Sequence, residues 1–119
     1  MKITLEMIKL CYCYGKLYYN NEVTLEKAKS EIHCQTNMNI SSCQIYVYNL
    51  KQMLEGKLFK RYMSILSYEY YLNTIKKEFS EKIFYNALNS FHKHIEYKEK
   101  INKCEAKKDR NLFLSFINK

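Results

Sequence analysis

The side chains able to do covalent or metal chemistry are thiols and imidazoles: Cys11, Cys13, His33, Cys34, Cys43, His92, His94 and Cys104. A structural zinc site needs C-x2-4-C or H-x3-5-H spacing, so that one turn offers two ligands to the same ion. Neither spacing occurs. Cys11 and Cys13 stand two residues apart, as do His92 and His94, which on a helix sends them to nearly opposite faces. A thiol nucleophile needs a neighbouring base, and nothing in the spacing brings Cys and His together. Gly15 and Gly56 are isolated, so there is no glycine-rich phosphate loop; nucleophile-elbow and H-E-x-x-H motifs are absent too. These residues predict no enzyme, no metal and no cofactor, with packing as the role of the thiols and imidazoles.

Recognition of a polyanion fits residues 37–61 better. Asn39, Ser41, Gln44, Ile45, Tyr48 and Lys51 lie along one predicted helix. The B-form major groove admits a helix whose N-terminal side chains reach base edges. Ser41 and Gln44 donate and accept hydrogen bonds, with Gln suited to adenine. Ile45 suits a thymine methyl, and Tyr48 and Lys51 reach phosphates. Lys51 is the one cation on that helix, so neutralisation falls to Lys57, Lys60 and Arg61 just past its end. Phosphate contacts set much of the affinity and make it salt-dependent. The plain account of the same residues is an ordinary helix pair followed by a solvated basic loop. A second basic run, from Lys93 to Arg110, is interleaved with Glu96, Glu99, Glu105 and Asp109 and reads as a solvated helix face.

Helices must position these side chains. No proline and two glycines in 119 residues argue against sheet turns and predict an all-α chain, a compact bundle of five to six helices. Helix one starts after Thr4 and runs to about Tyr19, with Leu5, Ile8, Tyr12, Gly15 and Tyr19 on one stripe. Helix two follows Thr24 and turns Leu25, Ala28 and Ile32 inward. Asn37 suits the left-handed end of that helix, and Asn39 is a strong N-cap for the next. A joint of about three residues, with Ile32, Met38, Cys43 and Tyr46 as apolar anchors, is a helix-turn-helix-like pair. His33 and Asn37 depart from it, since a small residue and Gly are commoner there. Helix three spans about Ile40 to Glu55, with Gly56 beyond its end. Ser64 and Ser80 cap helices four and five. Asp109 is the expected cap of a short last helix whose apolar face is Leu112, Phe113, Phe116 and Ile117. The expected division is 1–103 as a helical binding domain and 104–119 as a charged break with a short apolar helix or tail.

The formal net charge is +8, and it is uneven. Residues 1–55 carry six Lys against five Glu; residues 56–119 carry fourteen Lys and Arg against seven Asp and Glu. A field of that sign attracts nucleic acid, anionic lipid or an acidic protein surface. No run approaches the ~18 apolar residues of a membrane span. Glu6 and Lys9 interrupt the first apolar stretch, which argues against a signal peptide. Five irregularly spaced cysteines without an export signal predict reduced, mostly buried thiols and a cytoplasmic location.

Two stretches, Met53-Leu54-Glu55-Gly56-Lys57-Leu58-Phe59-Lys60-Arg61 and Asn86-Ala87-Leu88 followed by His94-Ile95-Glu96-Tyr97, carry a family resemblance. Over roughly the first hundred residues the chain resembles the helical N-terminal module that precedes the nuclease domain in bacterial HNH-type, McrA-like restriction endonucleases. The resemblance implies a target-recognition module, including for modified DNA, with Lys57, Lys60 and Arg61 in its best-matched stretch. The metal-binding His-Asn-His core of such enzymes is not in this sequence.

The expected function is therefore non-catalytic binding of double-stranded DNA through helix three and the 57–61 connector, in a restriction or defence setting. The alternative is a protein-interaction module, or an inhibitor of a host defence nuclease of anti-restriction or anti-CRISPR type. Its contact would use Tyr62, Tyr97, Leu112, Phe113, Phe116 and Ile117, and the tail would also serve a homodimer. Tyr is a favoured interface anchor.

Overall fold

Helices start in this chain where a side-chain oxygen can take an orphan N–H. Thr4 accepts from Met7 N (3.2 Å), Thr24 from Lys27 N (3.1 Å), Ser64 from Ser67 N (3.3 Å) and Ser80 from Ile83 N (3.2 Å). Asn39 accepts from both Ser41 N (2.9 Å) and Ser42 N (3.2 Å). The computed structural model describes residues 2–117. They form α1 (Leu5–Tyr19), α2 (Leu25–Thr36), α3 (Ile40–Glu55), α4 (Ile65–Glu78), α5 (Glu81–Asn102) and α6 (Lys107–Ile117), with no strand among them. The chain is all-α, as its lack of turn formers predicts. No helix among the described residues is long and apolar enough to cross a membrane.

Helix ends are equally local. Asn37 (φ 63°) ends α2, Gly56 (φ 73°) ends α3 and Lys103 (φ 55°) ends α5, each in the left-handed region. Three residues, 37–39, thus join α2 to α3, with Met38 fully buried between them. The His33 imidazole does not keep the helices apart, because it is exposed and its Nδ1 donates to the Met38 carbonyl (2.8 Å).

The core gathers around α3, which packs against α1, α2 and α5. Its Cys43, Val47, Leu50, Met53 and Leu54 are completely buried. Helix α1 lies against α2, α3 and α4, so its buried arc is wider than a single stripe. Met7 and Cys11 join Ile8, Tyr12 and Gly15 inside, whereas Leu5 is 39% exposed. Tyr19 is half-buried, edge-on to Phe79 at 6.4 Å. At Gly15 α1 meets α3 so closely that a Cβ would stand 2.5 Å from Leu50 Cδ2.

Two expectations need correction. Only Cys11 and Cys43 are buried; Cys13, Cys34 and Cys104 are exposed, and all five are free thiols. The reason is periodicity: Cys13 and Cys34 each stand two residues from a buried neighbour, Cys11 and Ile32, and so face away from the core. Asp109 is no N-cap either. Helix α6 begins at Lys107, and Asp109, in its first turn and 5% exposed, pairs with Lys98 of α5 (2.9 Å). Glu99 secures the same joint, accepting from Ala106 N (2.9 Å) and from Arg110 Nε (2.6 Å). The Arg110 guanidinium holds the Glu99 carboxyl down to about 2.

The Gly15–Leu50 approach makes a specific prediction. Gly15→Ala should destabilise the protein by about 1–3 kcal/mol, because Leu50 cannot yield without disturbing the core. Urea unfolding followed by circular dichroism reads this as a lower midpoint with an unchanged slope.

Candidate nucleic-acid interface

Residues 57–64 run from α3 to α4 as an irregular segment. An extended chain outside a sheet has no backbone partner for its carbonyls, so other groups must supply donors. Here they come from side chains of α3 and α5. Lys93 Nζ donates to Gly56 O (2.9 Å), Ser90 Oγ to Lys57 O (2.5 Å) and Gln52 Nε2 to Leu58 O (3.1 Å). His94 Nδ1 donates to Phe59 O (2.7 Å), and Asn49 Nδ2 to Arg61 O (3.1 Å). The N–H groups of Met63 and Ser64 reach the hydroxyls of Tyr68 (2.9 Å) and Tyr46 (3.3 Å).

His94 is the centre of this arrangement and is fully buried. Its ring stacks on Phe59 at 4.2 Å and 13°. Because Nδ1 meets a carbonyl oxygen, that nitrogen carries the proton, and Nε2 accepts from the Tyr68 hydroxyl (2.9 Å). Burial favours the neutral imidazole and lowers its pKa below the ordinary value. Burial likewise pushes the Tyr68 phenol well up, keeping it a donor.

Two residues pin the segment to the core: Phe59, 1% exposed, and Met63, 8% exposed. The three between them, Lys60, Arg61 and Tyr62, face solvent. Together with Ile45 of α3 and Tyr97 and Ile101 of α5 they line an open cleft of about 380 Å3. Lys60 Nζ lies 5.6 Å from the Tyr97 ring centre. Neither Lys60 nor Arg61 has a carboxylate partner among the described residues.

The other residues expected at the site are divided. Ser41 and Tyr48 remain exposed on α3. The Asn39 side-chain oxygen is engaged in its cap, and Gln44 accepts from Lys29 of α2 (2.8 Å). Lys51 turns toward α1, 5.1 Å from the Tyr18 ring centre and 3.8 Å from Glu55. Lys57 pairs with the same Glu55 at 3.2 Å. The alternative contact set is also split. Tyr62 and Tyr97 belong to the cleft, while Phe113 rests on His92 (5.0 Å) and Phe116 on Phe84 (6.0 Å). Leu112 is half-buried against the core; Ile117 is 50% exposed.

The interleaved charges of α5 divide into paired and unpaired groups. Glu96 approaches His92 (3.5 Å), Glu99 binds Arg110 and Asp109 binds Lys98. Lys93 and Lys100 have no carboxylate partner among the described residues, and they stand four residues before and three after Tyr97. Spacings of three and four put them on the Tyr97 side of the helix. Charge interleaving alone makes them part of a solvated face; their register relative to Tyr97 is the signal in the sequence that could have found them. Among the described residues no three metal-ligating side chains converge. No family model matches the chain, and no curated protein or solved structure is significantly similar to it.

The His94 arrangement has a pH signature. Its folded pKa lies below the ordinary 6.5, so on acidification the unfolded chain takes up a proton that the folded one refuses. The contribution of His94 is fully present above about pH 6.5 and declines as pH falls from there toward the folded pKa. His94→Phe should lose about 1–3 kcal/mol at neutral pH by orphaning its two partners. Urea midpoints between about pH 7 and pH 5 should then show a shallower pH slope for the variant than for the parent.

Proposed function

We propose that this chain is a non-catalytic module that binds double-stranded DNA. The carrying observation is the display of Lys60 and Arg61, without carboxylate partners among the described residues, between two buried anchors and beside Ile45 of α3. Cations held in place by the backbone beneath them engage phosphates with little ordering entropy left to lose. Lys93 and Lys100 extend the basic surface along α5. The exposed Ser41 and Tyr48, with the half-buried Ile45, supply the groove-facing edge of α3.

Hydrogen bonds within the chain occupy the side-chain oxygens of Asn39 and Gln44 and leave few base-reading groups, so phosphate contacts dominate and sequence preference is modest. The resemblance to the recognition modules of HNH-type restriction enzymes supports the same reading and sets it in restriction or defence. The rival reading, a nuclease inhibitor or homodimer using the C-terminal tail, is disfavoured by the inward packing of Phe113 and Phe116.

Fluorescence anisotropy with a labelled duplex, titrated between about 50 and 200 mM salt, tests this. Each phosphate contact adds about 0.9 to the magnitude of the log–log salt slope. Lys60→Ala with Arg61→Ala should therefore flatten the slope by about 2 and weaken binding at least tenfold at the lower salt. Lys57→Ala, already neutralised by Glu55, should change affinity less than about twofold. An unchanged slope in the double variant would remove the assignment.

A further inference from the structure

The cleft holds more than charge. A surface built for phosphates alone has no use for large apolar groups, yet Ile101 is 58% and Tyr62 44% exposed beside Lys60 and Arg61. The Tyr62 ring is fixed: Lys98 Nζ lies 4.7 Å from its centre and the His94 ring meets it edge-on at 5.5 Å. Its hydroxyl accepts from Asn102 Nδ2 (3.4 Å). The opposite ring, Tyr97, carries the Lys60 ammonium over it at 5.6 Å. An ammonium held only by a ring is readily drawn to a phosphate, which frees that ring face for a flat partner. A volume of about 380 Å3 lies at the low end for small-molecule sites and suits one nucleotide, not a duplex. In a duplex the faces of each base are covered by its neighbours, so only an unpaired base can stack on a tyrosine.

We propose that this cleft takes one unpaired nucleotide of a DNA strand, its base against Tyr97 and Ile101 and its phosphate on Arg61 and Lys60. The proposal rests on the DNA-binding reading and specifies what that site prefers.

The test compares three labelled DNAs with the full chain: a perfect duplex, the same duplex with a single-nucleotide bulge, and that bulge made abasic. The bulged duplex should bind about tenfold tighter than the perfect one, a difference within the range of one base–aromatic stack, and the abasic bulge should lose the gain. Tyr97→Leu should abolish the preference, bringing the ratio of bulged to perfect-duplex affinity to about one. Ile101→Ser, at an exposed position, should reduce the preference and tests the same base contact if the Tyr97 variant does not fold. Equal binding of bulged and perfect duplexes overturns the nucleotide site but leaves the duplex reading standing. An abasic bulge that keeps the gain also overturns it, since flexibility and not the base would then be recognised. Failure of all three DNAs to bind overturns both readings.

Discussion

A backbone carbonyl packed against helices must find a donor, and between α3 and α4 the chain has no backbone donor to give it. Five carbonyls from Gly56 to Arg61 are met instead by Lys93, Ser90, Gln52, His94 and Asn49. This one constraint explains why α3 and α5 place polar side chains toward a common line, and why a histidine can be fully buried there. The His94 ring satisfies a carbonyl on one side and a phenol on the other while stacking on Phe59. A protonated ring would turn its acceptor nitrogen into a donor and break that sequence of bonds. Asn49, 1% exposed, keeps its side-chain oxygen without a partner among the described residues, so its retention there is set by its bond to Arg61.

The consequence is an irregular segment held by side chains of two helices, with its charged residues on the outside. The docking of α6 complements it. Asp109 of α6 takes up Lys98 and Arg110 takes up Glu99, so both charges of α5 are paired across the joint. Lys93 and Lys100 are left on the side of Tyr97. Lys60 and Arg61 are thereby displayed with two tyrosines and two isoleucines beside them.

Features governed by neighbouring residues were legible in the sequence. The caps at Thr4, Thr24, Asn39, Ser64 and Ser80, the left-handed Asn37 and the terminating Gly56 all follow from side-chain reach and backbone sterics within a few residues. Features governed by distant partners were not. His94 reads as half of an uninformative His-x-His pair until Phe59, 35 residues away, and Tyr68, 26 away, come beside it. Gly15 reads as one member of a stripe until Leu50 is seen against it. The site was half legible for the same reason. Lys60 and Arg61 stand out as a basic run, but Lys57 and Lys51 share the Glu55 carboxylate, and Lys29 of α2 occupies Gln44. A one-dimensional charge count cannot register either.

Everything at the cleft depends on side chains of α3 and α5 immobilising the segment that carries Lys60, Arg61 and Tyr62 before any ligand arrives. Backbone 15N relaxation of the free protein tests it most directly. Order parameters at residues 58–63 should match those of the flanking helices, at about 0.85. Values below about 0.6 across those residues, with rigid helices on either side, would mean a loose basic loop and contradict the account.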